Sequence, residues 1–256
     1  MVNARELLAD DLSSLESVAI ADVLDTAFAR LVRTYPVEYV FKTCALDRLL
    51  FGRHSPRTTA FYSEFPVGNS RADLLVVNGE AHVFEIKTQY DDLSRLDAQL
   101  ADYYRAFTHV TLFVSEERAD EVLKTAPAST GVTVLSRKYS MSVARPASRH
   151  SESLDGRSLF RLLHADEYLP LLRSRGIDMS TVDRAVRYIE CAEAFEGLDP
   201  EELHADVATC LKRRQRTEQL AHIAVTLPRS LRLAPFAYRK SKADWRALSL
   251  RMHEPA

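Results

Sequence analysis

Residues 71–87 read RADLLVVNGEAHVFEIK, two runs of apolar residues joined at Asn78-Gly79. Val, Ile, Leu and Phe in short runs either side of an Asn-Gly pair predict two strands of a hairpin. Residues two apart on a strand point to the same side, so Glu85 and Lys87 emerge together. Lys87 is the only one of seven lysines with an acid two positions before it. Asp73 interrupts a segment otherwise suited to burial, and a carboxylate there needs a reason.

Whether Asp73 can act with Glu85 depends on the turn. A two-residue Asn78-Gly79 turn pairs Asp73 with Phe84 and sends Glu85 to the opposite face. A three-residue loop, Val77-Asn78-Gly79 with a left-handed Gly79, pairs Val76 with Glu80 and Asp73 with Val83. Asp73 then stands diagonally from Glu85 on one face, so an odd turn with a glycine bulge is expected. Two carboxylates on one face repel unless a cation joins them. Oxygen ligands of this kind suit Mg2+ or Mn2+. Such an ion acidifies a bound water and neutralises charge on a phosphodiester, while a neighbouring lysine orients the water or stabilises the transition state.

Working outward, Thr58–Pro66 reads as a strand preceding Arg71–Val77 and Ala81–Lys87. Apolar residues at helical spacing predict helices over 15–33 and from Thr34 and Pro36 to Gly52. A helix is expected over 92–107, with Leu93, Leu96, Leu100, Tyr103 and Phe107 in one stripe. Val110–Val114 and Val132–Leu135 read as buried strands around a helix at 116–126. Beyond Pro146 the pattern is helical: Leu159–Leu172, Thr181–Phe195 and Pro200–Leu220. The class is α/β, with an αβββαβ core and a mainly helical C-terminal extension. The expected segments are 1–33, an N-terminal helical part; 34–145, the core; and 146–256, the extension.

The Asp, then Glu-x-Lys, carried on a three-stranded meander between helices resembles the PD-(D/E)XK nuclease superfamily, restriction-endonuclease-like in fold, over about residues 35–136. Gln99 and Tyr103, one turn apart on a helix face, resemble the Gln-x3-Tyr motif of the branch that includes the nuclease domain of RecB. The Pro of the motif is absent, since Ala72 precedes Asp73. The resemblance implies a Mg2+-dependent (or Mn2+-dependent) deoxyribonuclease. Asp73, Glu85, Lys87 and Gln99 would be catalytic. Asp73, Glu85, the carbonyl of Ile86 and Glu38 of the leading helix would hold the metal, with Glu64 an alternative fourth carboxylate. Tyr103, Arg53, Arg57 and Arg71 would meet nucleic acid. DNA is the implied partner, in repair, recombination or defence, and a homodimer is compatible. A catalytically silent nuclease fold that binds nucleic acid or protein is the alternative.

The 256 residues, 46% hydrophobic and 27% charged, fit a soluble globular chain rather than a disordered one. No run approaches eighteen apolar residues, and Met1–Asp11 lacks a basic start followed by an apolar stretch, so neither a membrane span nor a secretory signal is expected. Three scattered cysteines suit a reducing cytoplasm and give no disulfide or zinc pattern. Charge is uneven: residues 178–206 hold nine acids against two arginines, and residues 212–256 eleven bases against three acids. The basic segment, with Lys212, Arg213, Arg214 and Arg216, can meet phosphates or pair with the acidic one.

Overall fold

The computed structural model describes residues 18–35, 37–136 and 140–255. In chain order these form α1 (Ile20–Thr34), α2 (Glu38–Ala45), a π-helical stretch (Leu46–Arg53), β1 (Ala60–Val67), β2 (Ser70–Asn78), β3 (Glu80–Lys87), α3 (Leu96–Tyr104), β4 (His109–Ser115), α4 (Ala119–Thr125), β5 (Gly131–Leu135), β6 (Met141–Arg145), α5 (Gly156–Arg161), α6 (Ala165–Ser174), α7 (Arg187–Glu196), α8 (Pro200–Arg214), α9 (Thr217–Ala224), α10 (Ala234–Ala237) and α11 (Lys242–Arg251). The protein is mixed α/β, and among the described residues six strands form one sheet in the order β1-β2-β3-β4-β5-β6. Among the described residues no helix is long and apolar enough to cross a membrane. The expectations for Met1–Asp11, residues 15–17 and Pro36 lie outside the described residues.

The chain divides into two compact units, both discontinuous in sequence. The first comprises 1–57, 135–141 and 216–256. Its α1 begins without a side-chain cap, and the amides of Ile20 and Ala21 donate instead to the carbonyls of Glu254 and Met252 at 3.0 and 2.9 Å. Asp25 accepts from the amides of Arg229 and Ser230, and Asp47 pairs with Arg229 and Arg232. Thr34, expected to open α2, instead closes α1, its hydroxyl donating to Arg30 O at 2.9 Å.

The second unit comprises 58–134 and 142–215 and so holds all of the sheet but the strand ends Leu135 and Met141. β1 and β2 are antiparallel, as are β2 and β3, while β3 and β4 run parallel. A core of Leu75, Val83, Leu100, Phe107, Leu112, Phe160, Phe195 and Leu211 joins the sheet to its helices. Asp199 caps α8 by accepting from the amides of Glu201 and Glu202, with Pro200 in the first turn.

Several expected boundaries move, each for a local reason. The helix expected through Leu220 stops at Arg214. Gln215 turns extended, and its side-chain amide donates to Phe61 O at 2.8 Å. The helix expected over 159–172 is two, separated where Glu167 accepts from the His164 amide and starts α6 anew. Gly156 lets α5 approach α7 closely, since a Cβ there would stand 2.3 Å from Phe195 O. β6 was not expected, because a five-residue strand exposed at Ser142, Val143 and Ala144 shows no buried run. Arg145 fixes it, donating to the carbonyls of Thr130, Leu123, Ala126 and Pro127 at 2.8–3.3 Å. Those bonds satisfy carbonyls at the end of α4 and in the following loop.

The acidic stretch 178–206 finds partners within the second unit: Glu196 pairs with Arg157, Glu201 with Arg149 and Asp206 with Arg175. Arg214, one of the four clustered bases, pairs with Glu167.

Candidate functional site

The hairpin turn has the expected odd parity, with Gly79 at φ +81°. Its register is two residues from the expected one. Asn78 faces Glu80, and pairing continues through Val76↔His82 to Leu74↔Phe84. Val77 is buried and stays in the ladder opposite Ala81, so the loop centres on Gly79. The same register carried one step further sets Asp73 directly opposite Glu85, not diagonal to it. There the ladder ends, and the Asp73 carboxylate accepts from the Ile86 amide at 2.7 Å.

A second irregularity lies at the same level on β1. Pairing of β1 with β2 runs from Ala60↔Val77 to Ser63↔Leu74 and resumes at Phe65↔Ala72, leaving out Glu64 and Asp73. Glu64 has φ +57°, a conformation that costs an L-residue about 1–2 kcal/mol. The core takes Ala60 and Tyr62 before this point but Phe65 and Val67 after it. It likewise takes Ala72 before Asp73 but Leu75 and Val77 after it. Side-chain alternation in both strands is therefore re-phased where these two acids stand. Their carboxylate oxygens come within 4.8 Å of each other.

On β3, Glu85 and Lys87 are buried, with 3% and 7% of their surface exposed. Lys87 Nζ donates to Glu85 Oε1 and to Gln99 Oε1, each at 2.8 Å. Gln99 Nε2 donates to Glu85 Oε1 at 2.7 Å, and the Tyr103 hydroxyl to Glu85 Oε2 at 2.6 Å. Helix α3 presents Gln99 and Tyr103 on one face, so one helical turn clamps both oxygens of one carboxylate. Tyr103 was expected to touch nucleic acid. It is fully buried, and its hydroxyl also reaches Arg71 O at 2.9 Å, so it acts on Glu85 and the β2 backbone. Burial first, then the Glu85 charge and hydrogen bond and the charges of Asp73 and Asp102, raise its pKa far above the usual tyrosine range. The phenol keeps its proton for donation.

The remaining expected residues divide between the units. Arg71 is exposed on β2. Glu38 opens α2 in the first unit and pairs with the buried Lys42. Arg53 ends the π-helical stretch, and Arg57 pairs with Glu218 at 3.4 Å, both in the first unit. Sequence reasoning missed Asp102, which accepts from the Asn69 amide at 3.1 Å and the Ser70 hydroxyl at 2.7 Å. Its place between Gln99 and Tyr103 on the helix was the available signal.

The family described as bacteriophage P4 protein cII matches residues 32–232, a stretch that includes all of these side chains. The chain belongs to the bacteriophage P4 protein cII family. Protein cII of Enterobacteria phage P4 is 34% identical over 90 residues, which are 34% of this chain and 34% of that protein. The chain thus spans about a third of the length of the curated relative it matches. A solved protein of unknown function from Silicibacter pomeroyi is 19% identical, with a TM-score of 0.31, over 56% of this chain and 85% of that one. Within the cII family, the sheet end around Asp73, Glu85 and Lys87 is this chain's candidate site.

Proposed function

We propose that this cII-family chain is a metal-dependent nuclease with a restriction-endonuclease-like core, hydrolysing phosphodiester bonds of DNA. The observation that carries the reading is the buried Lys87, held between Glu85 and Gln99 on the strand next to Asp73. Burying an ion pair costs desolvation that its attraction only partly returns, so the pair is a poor choice for stability alone. Buried charges gathered with further titratable groups in this way make a candidate functional site.

Asp73 and Glu64, whose carboxylate oxygens lie within 4.8 Å of each other, would supply hard oxygen ligands. Glu85 and the Ile86 carbonyl follow on the adjacent strand. A divalent ion held there would polarise the phosphate and acidify a water. The chain's own contribution is to place Lys87 where it donates to the attacking water or to the phosphoryl oxygens as charge grows. Gln99 and Tyr103 hold Glu85 in one orientation. In the reaction the water oxygen forms a new P–O bond, one ester P–O bond breaks, and the leaving oxygen takes a proton. Arg71, exposed on β2, would meet a phosphate of the strand. DNA as substrate rests on the resemblance of the Asp73, Glu85-x-Lys87 and Gln99-x3-Tyr103 pattern.

One observation favours the silent alternative. Both oxygens of Glu85 already accept hydrogen bonds, from Lys87, Gln99 and Tyr103, as a purely structural carboxylate would. Incubation with linear, circular, single-stranded and branched DNA in Mg2+ or Mn2+ separates the two readings. The nuclease reading expects cleavage that EDTA stops and Lys87→Ala lowers at least about 100-fold, the scale of losing one preorganised stabilising group. No cleavage of any DNA with either ion would leave the silent reading.

A further inference from the structure

We infer that Asp102 is a positioning residue for the Glu64–Asp73 pair, acting through the β1–β2 turn; the inference rests on the metal-site reading above. The turn Val67-Gly68-Asn69-Ser70 joins the two strands, and Glu64 and Asp73 each stand three residues from it. One carboxylate oxygen of Asp102 accepts from both the Asn69 amide and the Ser70 hydroxyl. Gly68 has φ +60°, and a Cβ there would lie 2.9 Å from Asp102 Oδ1, so the side chain sits against the turn with no space to spare.

On the same helix the single Tyr103 hydroxyl proton is shared between Glu85 Oε2 at 2.6 Å and Arg71 O at 2.9 Å, the latter one residue beyond the turn. Gln99 and Tyr103 also grip Glu85. Helix α3 therefore holds the β1–β2 hairpin end through Asp102 and Tyr103, and the β3 site through Gln99 and Tyr103. The hairpin end needs this grip, because pairing between β1 and β2 is broken at Glu64 and Asp73. Between that break and the turn only Phe65↔Ala72, Pro66↔Arg71 and Val67↔Ser70 remain paired. Proline donates no main-chain hydrogen bond. With the clamp lost, three residue pairs would carry the hairpin end, and the spacing of Glu64 and Asp73 would loosen.

The test is Mn2+ affinity, read by calorimetry on the full chain, for the wild type and Asp102→Asn. Asparagine keeps the size and one acceptor oxygen but removes the charge that strengthens both bonds to that oxygen. The inference expects Mn2+ affinity to fall about ten-fold or more, the usual cost of losing a partner that orients a ligand, with the folded signal retained and faster exchange of the Asn69 amide. Wild-type binding with unchanged affinity in Asp102→Asn overturns the inference and leaves the metal site standing. No Mn2+ binding by the wild type overturns both. Should Asp102→Asn fail to fold, Ser70→Ala removes one of the two bonds, and an intermediate loss of affinity is then expected; no loss overturns the inference.

Discussion

Strand β2 lies between two tight turns that achieve the same geometry by different means. At Gly79, φ is +81° and a Cβ would meet nothing within 4 Å, so the turn depends on its own backbone freedom. At Gly68, φ is +60° and the Asp102 carboxylate packs against the glycine. Local sequence thus specifies the first turn, and a helix more than thirty residues away holds the second. The difference matters because Asp73 and Glu64 sit near the held turn, where the strand pairing is broken.

The largest effect is expected at the held end. Lys87→Met leaves Glu85 buried without its cation, which costs about 3–5 kcal/mol, read from urea denaturation. A loss below about 1 kcal/mol would show that the buried contact between Lys87 and Glu85 contributes little to stability. Next, Gly68→Ala should cost more than Gly79→Ala. Both meet the left-handed penalty of about 1–2 kcal/mol, but only Gly68→Ala also pushes against Asp102. Equal melting temperatures for the two variants would remove the contrast between the turns.

The smallest effect concerns His204 on α8, buried with its Nε2 unpartnered in the structure. Its pKa is lowered from 6.5 by burial first and by the Arg149 charge second, with Glu80, His109 and Glu201 also facing it. Below about 6.5 the unfolded chain takes up a proton that the folded chain resists, so stability falls as pH drops through that value and levels off below the folded pKa. Urea midpoints at about pH 7.5 and 5.5 should differ, and His204→Gln should narrow the difference. An unchanged gap would assign the acid sensitivity to other groups.

Much of this arrangement was legible in the sequence. Short runs of Val, Leu, Ile and Phe marked the strands, and Asn78-Gly79 marked a turn whose parity follows from the need to set Asp73 beside Glu85. The register was missed because the loop length depends on Val77, whose burial keeps it in the ladder. Tyr103 could not be assigned from spacing alone, since an apolar stripe and a polar motif share that position; only packing shows its hydroxyl turned inward to Glu85. Glu64 reads as an ordinary strand residue, and its positive φ falls where the pairing with β2 is interrupted. β6 and the Arg145 bonds are tertiary and leave no local period.

The central claim is tested most directly by Mn2+ titration of the wild type beside Asp73→Asn and Glu85→Gln. The account predicts a saturable site in the wild type and at least about ten-fold weaker binding in Asp73→Asn, with Glu85→Gln weakened as well. Wild-type protein that is folded and binds no Mn2+, or an Asp73→Asn variant that binds as tightly as the wild type, would contradict it.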